Sequence, residues 1–426
     1  MNATKLEILT LGNELLIGLR TNAHLTYLGD QLSRRGLHPR RNVVINDEEV
    51  SIGREFLASW GQADIVITTG GLGATADDIT RECVAHSLGL EMVHDSEIEE
   101  QLHNYFRERG APMPAINRKI AYRPEGAEVL PNRVGTAPGL WLEREGKTVI
   151  MLPGPSAELQ DVFEEEVLPR LRKKGVLGEE EDYVQIRTAG LGETFLMEKI
   201  QPLLDLCHGV EVASCPHEGM VDLRLSSADG EMTRKKLEGL GLQIARRLGD
   251  DFVCFGHDSL ENVVFEILRK RELTLAVAES CTGGLLASRF TDIPGASKVF
   301  LGGVVCYTND AKVQILDIPE ALINQHGAVS AEVAVALATG VGECLGSDYA
   351  LSVTGFAGPD GGTEESPVGT VYLGLDTPDD SWARKVYFSG GRLHVRKQAV
   401  TALLDWLRRT LVQNKVPEPA EHPVPG

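Results

Sequence analysis

Short apolar segments rich in β-branched residues recur along the chain, and glycine-rich turns follow two of them directly. Residues Ala63–Thr69 read ADIVITT and run into Gly70–Thr75, while strand-like Leu273–Ala278 runs into the turn Glu279–Gly284. A short continuous apolar run is typical of a strand that is buried on both faces of a parallel sheet. Because helical patterns alternate with these strands, the sequence predicts α/β domains in which helices cover both faces of a parallel sheet.

Length indicates that the chain folds into more than one domain. It has 426 residues, whereas single domains usually contain about 100–200 residues. Composition shifts near Lys173, where Lys173-Lys174-Gly175 and the acidic run at 179–182 indicate a boundary. We expect a three-layer α/β domain at 1–174, a small α+β domain at 175–256, an α/β/α domain at 257–415 and a disordered proline-containing tail at 416–426.

Charge and cysteine content narrow the range of functions. The chain carries 42 Lys and Arg against 62 Asp and Glu, a net charge of −20, and nucleic-acid binding needs clustered cations. A local pocket of cations and backbone N–H groups can still hold one phosphate. The seven cysteines are scattered without a CxxC pair, and neither a secretory signal nor an 18-residue apolar stretch is present. We therefore expect a cytoplasmic protein with reduced thiols, no membrane contact and no nucleic-acid partner.

The N-terminal glycine loop is the first candidate site. Its glycines let backbone N–H groups approach an anion, and the helix N-terminus that follows adds positive potential. Asp77 and Asp78 can hold a divalent cation that bridges phosphates, and Glu14 ends the first strand at the same predicted edge. The alternative is a tight turn in which one aspartate stabilises the helix N-terminus.

A serine between a strand and a helix is the second candidate site. Ser280 lies on the sharp turn Glu279–Gly284, which suits a nucleophile or a phosphate cradle, although a simple helix cap is the alternative. The GxSxG motif of α/β-hydrolases is absent. His326 and His394 are candidate bases, and Lys312 can serve if burial or neighbouring cations lower its pKa.

Three further segments suggest ligand contacts. The small residues of Thr354–Gly362 follow a strand and allow a backbone to approach a ligand closely. Arg392 opens the last helix, where a cation opposes the helix dipole and a bound anion would compensate; exposed solvation is the alternative. Asn117–Lys119 is a basic patch in an acidic domain, either in contact with phosphate or simply solvated. Gly154 again separates a strand from a helix, as in a rigid turn.

Together these motifs resemble the CinA family, and the resemblance covers nearly the whole chain. The matching N-terminal segments are Gly12–Leu16 with Thr21-Asn22, Thr69–Thr80, Asn117–Lys119, Gly135–Gly139 and Leu152–Pro155 with Glu158-Leu159. The matching C-terminal segments are Glu279–Gly284, Tyr307–Asn309 with Lys312, His326–Ser330, Thr354–Gly362, Pro367–Val371 and Gly391-Arg392. Gly190–Thr194 resembles the family's small middle domain. The resemblance implies a molybdopterin-binding-like domain, a KH-like domain and a PncC-like domain, in that order.

For the C-terminal domain, the resemblance implies a nicotinamide mononucleotide deamidase that needs no cofactor. Ser280 matches the family's nucleophile and Lys312 its base, with Tyr307 beside them at the catalytic centre. Backbone N–H groups of the 281–284 turn would stabilise the oxyanion. The residues expected to contact the substrate are Thr282, Gly283, Gly284, Thr354, Gly355, Gly358 and Arg392.

For the N-terminal domain, the resemblance implies metal-dependent hydrolysis of ADP-ribose to AMP and ribose 5-phosphate. The expected ligands of a divalent cation are Glu14, Asp77 and Asp78, and potassium is a second candidate cofactor. The residues expected to contact the substrate are Gly70, Gly71, Gly73, Thr75, Thr80, Asn117, Arg118, Lys119 and Gly154.

The expected partners are these small nucleotides, a second copy of the chain in a homodimer, and proteins of recombination or competence. An accessory protein that acts by protein–protein contact, with vestigial sites, is the alternative function. The intact set Ser280, Lys312, Thr354 and Arg392 favours an enzyme, because an adaptor does not need it. Pterin binding, a third alternative, rests on fold analogy alone.

Overall fold

A computed structural model describes residues 4–178, 183–227 and 232–413. The chain divides into two compact units, Met1–Asp182 and Tyr183–Gly426. The expected disordered tail at 416–426 and the acidic run at 179–182 lie outside the described residues. Within the described ranges, no helix is both long enough and apolar enough to cross a membrane.

The first unit is built on a six-stranded sheet. Its elements are β1 (Leu6–Leu11), α1 (Asn13–Leu16), α2 (Ala23–Ser33), β2 (Pro39–Ile45), α3 (Glu49–Gln62), β3 (Ile65–Thr69), α4 (Thr80–Leu88), β4 (Met92–His94), α5 (Ser96–Glu108), β5 (Tyr122–Pro124), β6 (Glu128–Leu130), β7 (Gly139–Arg144), β8 (Lys147–Leu152), α6 (Ser156–Val162) and α7 (Leu168–Lys173). The sheet order is β2-β1-β3-β8-β7-β6. The first four strands are parallel, and β7 and β6 extend the sheet antiparallel.

Helices cover both faces of this sheet. Neighbouring residues of a strand point to opposite faces, so they pack against different helices. Ile8 of β1 packs in a core with Leu28 of α2. The next residue, Leu9, packs in a second core with Phe56 of α3. The predicted three-layer α/β architecture is confirmed.

The second unit begins with an antiparallel α+β subdomain. Its elements are β9 (Tyr183–Ala189), α8 (Glu193–Leu204), β10 (Val210–His217), β11 (Met220–Ser227), α9 (Arg234–Leu248) and β12 (Phe252–Phe255). The sheet order is β10-β11-β9-β12, and every pair is antiparallel. Both helices pack on one face of this sheet around Leu223.

The second unit ends with a five-stranded α/β/α domain. Its elements are α10 (Leu260–Lys270), β13 (Leu275–Glu279), α11 (Leu285–Thr291), β14 (Phe300–Val305), α12 (Asn309–Leu316), α13 (Glu320–His326), α14 (Ala331–Leu345), β15 (Tyr349–Gly355), β16 (Thr370–Asp376), β17 (Ser381–Tyr387) and α15 (Arg392–Gln413). The sheet order is β14-β13-β15-β16-β17. The first three strands are parallel, so their carboxyl ends meet at one edge.

Neighbouring residues of β13 again enter different cores. Val277 packs with helices α10 and α15, and Ala278 packs with α14. The first of these cores also includes Ala189, Met220 and Val253 from the small subdomain. The two parts of the second unit therefore share one apolar core.

Candidate active sites

Ser280 follows the central parallel strand of the C-terminal sheet. Its backbone N–H donates to Val353 O on β15 at 2.9 Å, which fixes the residue at the carboxyl edge. The residue is 9% exposed. Gly283 and Gly284 adopt φ of 59° and 94°, and glycine takes such left-handed conformations without a steric penalty. The turn therefore holds the serine side chain at the sheet edge.

Lys312 is buried against this serine. Its side chain leaves the first turn of α12 and is 1% exposed. The Nζ atom lies 3.5 Å from Ser280 Oγ and donates to Cys306 O at 3.0 Å. Burial lowers the pKa of Lys312 below its ordinary value, and this favours the neutral amine that a general base needs.

The two histidine candidates for the base lie elsewhere. His326 Nδ1 is 3.3 Å from Glu332, and His394 Nε2 is 3.2 Å from Gln398 Nε2. Within the described part of the chain, neither ring is hydrogen-bonded to Ser280, whereas Lys312 Nζ lies 3.5 Å from its Oγ.

A buried carboxylate occupies the start of helix α11. Glu279 is 1% exposed and accepts hydrogen bonds from the backbone N–H groups of Gly284 (3.0 Å), Leu286 (3.1 Å) and Ala287 (2.8 Å). A helix N-terminus binds an anion through such N–H groups, and here Glu279 is that anion. The interpretation of this turn as a phosphate cradle is therefore wrong.

The oxyanion donors are fewer than the sequence predicts. The Gly283 N–H donates to Ser280 O at 3.2 Å, and the Gly284 N–H donates to Glu279. Among the described residues, the backbone N–H groups of Cys281 and Thr282 donate no hydrogen bond to another residue. These two amides, and not the whole 281–284 turn, are available to a developing oxyanion.

Cys281 lies directly beside the serine but differs from it chemically. Its side chain is buried, and burial raises the pKa of the thiol to about 12. A thiol is nucleophilic as its thiolate, so Cys281 is an inert neighbour at neutral pH.

Arg392, the first residue of α15, connects two loops of the site. Its guanidinium donates to the Tyr307 hydroxyl at 2.9 Å and to Gly358 O at 2.8 Å. Both Tyr307 and Arg392 are exposed. The structure therefore brings together the arginine, the tyrosine and the loop after β15, with cationic charge open to a ligand.

The loop after β15 packs closely against neighbouring residues of the same domain. The Thr354 hydroxyl donates to Ala328 O at 2.8 Å. A Cβ added to Gly355 would lie 2.9 Å from Thr370 O, and one added to Gly358 would lie 2.6 Å from Val368 Cγ1. Close packing against β16 and the turn before it thus explains these glycines without a ligand.

Sequence reasoning missed Arg396, one helical turn after Arg392. Its guanidinium donates to Thr282 O in the serine turn. Arg396 Nε and Thr282 Oγ1 are both buried and have no hydrogen-bond partner among the described residues. Two arginines four residues apart lie on one helix face, and this spacing is the signal that could have identified Arg396.

In the N-terminal unit, the glycine loop is bonded mainly to itself. The Thr80 hydroxyl donates to Gly70 O at 2.9 Å, and a Cβ on Gly71 would come within 2.1 Å of that hydroxyl. The Thr75 N–H donates to Asp78 Oδ2 at 2.8 Å. The loop is thus a closed turn in which hydroxyl and carboxylate groups are satisfied internally.

The remaining predicted contacts divide into two groups. Lys119 reaches the loop and donates to Thr75 O at 3.2 Å and to Asp78 O. A Cβ on Gly154 would lie 3.6 Å from Gly70 Cα, so these two turns lie together. Arg118, in contrast, is exposed and lies 3.5 Å from Glu99, and half-buried Asn117 has no side-chain hydrogen bond that the described residues show.

The predicted metal ligands do not form a ligand set. Within the described ranges, no three His, Cys, Asp or Glu side chains are grouped closely enough to hold a metal ion. A fourth carboxylate, Asp47, which sequence reasoning missed, lies at the same edge as Glu14, Asp77 and Asp78. Burial and these three carboxylates raise the pKa of Asp47. The arrangement as it stands therefore does not fit a bound divalent cation.

Comparison with known families matches almost the whole chain. Residues 7–173 match the family described as "Probable molybdopterin binding domain", residues 185–254 the "Damage-inducible protein CinA KH domain", and residues 257–411 the "CinA C-terminal domain". A CinA-like protein of Salinibacter ruber is 42% identical over 411 residues, covering 96% of this chain and 99% of that protein. The chain belongs to the CinA family. The CinA-like protein of Kosmotoga olearia is 39% identical with the same coverage of both chains.

Solved structures of CinA proteins match single parts of the chain. CinA from Thermoplasma acidophilum, titled as a protein of unknown function, is 31% identical, with a TM-score of 0.37, and covers 41% of this chain and 99% of its own. A CinA superfamily protein from Klebsiella pneumoniae is 30% identical, with a TM-score of 0.35, and covers 36% and 96%.

Proposed function

We propose that the C-terminal domain of this CinA protein hydrolyses the carboxamide of nicotinamide mononucleotide to nicotinate mononucleotide and ammonia. The single observation that carries the proposal is the buried 3.5 Å approach of Lys312 Nζ to Ser280 Oγ. A lysine with a lowered pKa beside a serine is the arrangement of a Ser–Lys acyl-transfer enzyme. The resemblance in the C-terminal motifs supports the choice of amide.

In the first half of the reaction, Lys312 takes the hydroxyl proton as Ser280 Oγ attacks the carboxamide carbon. The amides of Cys281 and Thr282 donate to the oxygen that becomes negative. The Lys312 ammonium then returns its proton to the departing nitrogen. The C–N bond breaks, ammonia leaves, and the acyl group remains on Ser280 as an ester.

In the second half, water hydrolyses this ester with the same base. Lys312 takes a proton from water as the water oxygen attacks the ester carbon, and the proton passes to Ser280 Oγ when the C–O bond breaks. Arg392 binds the substrate phosphate, because its guanidinium is exposed at the site and fits a bidentate contact with an oxyanion. Arg396 holds the serine turn through Thr282 O.

The test is ammonia release from nicotinamide mononucleotide by purified full-length protein. Ser280→Ala should lower kcat by about 10³-fold or more, because the nucleophile is lost. Ser288→Ala, an exposed serine on α11, is the matched control and should retain full activity. Activity should also persist in EDTA. Turnover by Ser280→Ala at the rate of the parent, or no ammonia release by the parent, would refute the proposal.

We also propose that the N-terminal domain binds the diphosphate of ADP-ribose and hydrolyses it in the presence of a divalent cation, with potassium as a second candidate cofactor. The glycine loop and Lys119 support diphosphate binding, since both lie at the carboxyl edge of the parallel sheet. The closed loop and the dispersed carboxylates would have to rearrange to hold the cation. AMP formation, followed in the same samples with and without EDTA, tests this activity separately.

We further propose that the protein acts in the cytoplasm. None of the seven cysteines, all of which lie in described residues, forms a disulfide, and this supports a reducing cytoplasm. We expect a homodimer. The alternative is an accessory protein of competence or recombination, because a relative from Thermoanaerobacter pseudethanolicus, 40% identical over 96% of this chain, is named a "Putative competence-damage inducible protein".

A further inference from the structure

The hairpin turn of the KH-like subdomain reaches into the C-terminal domain. Glu218 and Gly219 join β10 to β11, with φ of 47° and 82°. The Glu218 carboxylate accepts a hydrogen bond from Arg289 on α11 at 2.8 Å, and its other oxygen accepts one from Lys397 on α15. One carboxylate of the small subdomain therefore joins two helices of the C-terminal domain.

These two helices are the ones that carry the serine site. Helix α11 begins directly after the serine turn, and Glu279 binds its first N–H groups. Helix α15 begins at Arg392, and Arg396, the neighbour of Lys397, donates to Thr282 O. Arg289 and Lys397, the two partners of Glu218, are thus each connected to Ser280 through a short run of bonded residues.

Packing holds the hairpin turn in place. A Cβ on Gly219 would lie 2.5 Å from Gln398 Oε1 on α15, so the turn lies flat on that helix. Met220, the next residue, belongs to the same apolar core as Leu403 and Leu407. Burial would raise the pKa of Glu218, but Lys397 and Arg289 outweigh it and lower the pKa. The carboxylate is therefore ionised at neutral pH and can bridge the two cations.

We propose that Glu218 is a positioning residue for the amidase site, which fixes the distance between α11 and α15 and so aligns the serine turn. The inference rests on the proposed amidase function. The KH-like subdomain then acts as a brace for the amidase site, because its hairpin turn binds helices α11 and α15 of the same chain.

The test compares Glu218→Gln with Glu211→Gln in the full-length protein. Glu211 is exposed on the same hairpin and has no ion pair among the described residues, so its variant should match the parent. Glu218→Gln keeps the shape but loses the charge. Its kcat should fall about fivefold to twentyfold with KM changed less than about twofold, because small misplacements of the oxyanion donors act on the transition state.

A second pair of variants separates positioning from folding. Lys397→Met should reproduce the loss of kcat, and Lys397→Arg should restore it, because arginine can still pair with the carboxylate. A variant of Glu218 with parental kcat would overturn the inference, as would a loss shared by Lys397→Arg and Lys397→Met.

The labelling rate of Ser280 by a fluorophosphonate is a readout that does not depend on the substrate. If the parent is labelled but releases no ammonia, the nucleotide assignment fails, and slower labelling of Glu218→Gln still supports the brace. If the parent is not labelled, both proposals fail.

Discussion

The two candidate sites lie at equivalent edges of similar sheets, yet they differ in how far they are assembled. In the C-terminal domain, Lys312 is buried against Ser280 at 3.5 Å, and Arg392 is fixed by Tyr307 and Gly358. In the N-terminal unit, the carboxylates are dispersed, and the glycine loop is bonded to itself. The difference shows that a parallel sheet edge collects functional groups but does not by itself arrange them.

Burial accounts for much of the difference. Ser280 and Lys312 are buried in the C-terminal domain, so each has few alternative positions. At the N-terminal edge, burial and, to a smaller extent, repulsion by neighbouring carboxylates raise the pKa of Asp47. A bound cation would offset this repulsion. The serine and its base are therefore preorganised, whereas the carboxylates of the N-terminal edge are not grouped around a common centre.

Lys312→Met is the substitution with the largest expected effect on this comparison. Removing the base should lower kcat by about 10²–10⁴-fold, with little change in KM. In the parent, activity should rise with pH through the lowered pKa of Lys312, because only the neutral amine accepts a proton. A pH–rate profile of both proteins measures this. A parental pH dependence in Lys312→Met would show that another group is the base.

Arg392→Met should have an intermediate effect, mainly on binding. A charge-assisted hydrogen bond contributes about 1.5–3 kcal/mol, so KM for the mononucleotide should rise roughly ten- to a hundredfold. Nicotinamide riboside, which lacks the phosphate, should be used about equally poorly by both proteins. Equal weakening of both substrates would exclude Arg392 as the phosphate ligand.

Asp47→Asn should have the smallest effect and tests the dispersed site. The folded state raises the pKa of Asp47, so its ionised form destabilises the domain at neutral pH. The amide should raise Tm by roughly 1–2 °C near pH 7. This gain should vanish as pH falls through the pKa of Asp47, where the carboxyl is itself neutral.

A divalent cation tests separately whether Asp47 belongs to a metal site. Added Mn²⁺ should raise the Tm of the parent more than that of Asp47→Asn, if Asp47 helps to hold the cation. Equal shifts on adding Mn²⁺ would remove Asp47 from the metal site, and a lower Tm for the amide at neutral pH would contradict the repulsion.

The sequence predicts the architecture well where apolar runs are continuous. Strands β3 and β13 are buried along their whole length, and most of their residues are apolar. Strand β10 lies at the edge of its sheet, and half of its residues are exposed. Its pattern is correspondingly weak, and the sequence did not reveal it.

The candidate site was predictable only in part. Ser280 and Lys312 follow parallel strands, so topology alone brings them to one edge. The role of Glu279 depends on which N–H groups its side chain reaches, and the contact of Arg396 depends on how α15 packs against the serine turn. Such tertiary distances leave no periodic signal in a single sequence.

The placement of Cys281 beside Ser280 has a consequence for the selectivity of the site. Two side chains that differ only in oxygen and sulfur are neighbours on one turn, and in water the thiol would be the stronger nucleophile. The protein reverses this order. The Lys312 amine can accept the proton of Ser280, whereas burial raises the pKa of the Cys281 thiol to about 12, so the thiol stays protonated. The buried, protonated thiol is therefore a poor nucleophile, and the site reacts through its oxygen instead.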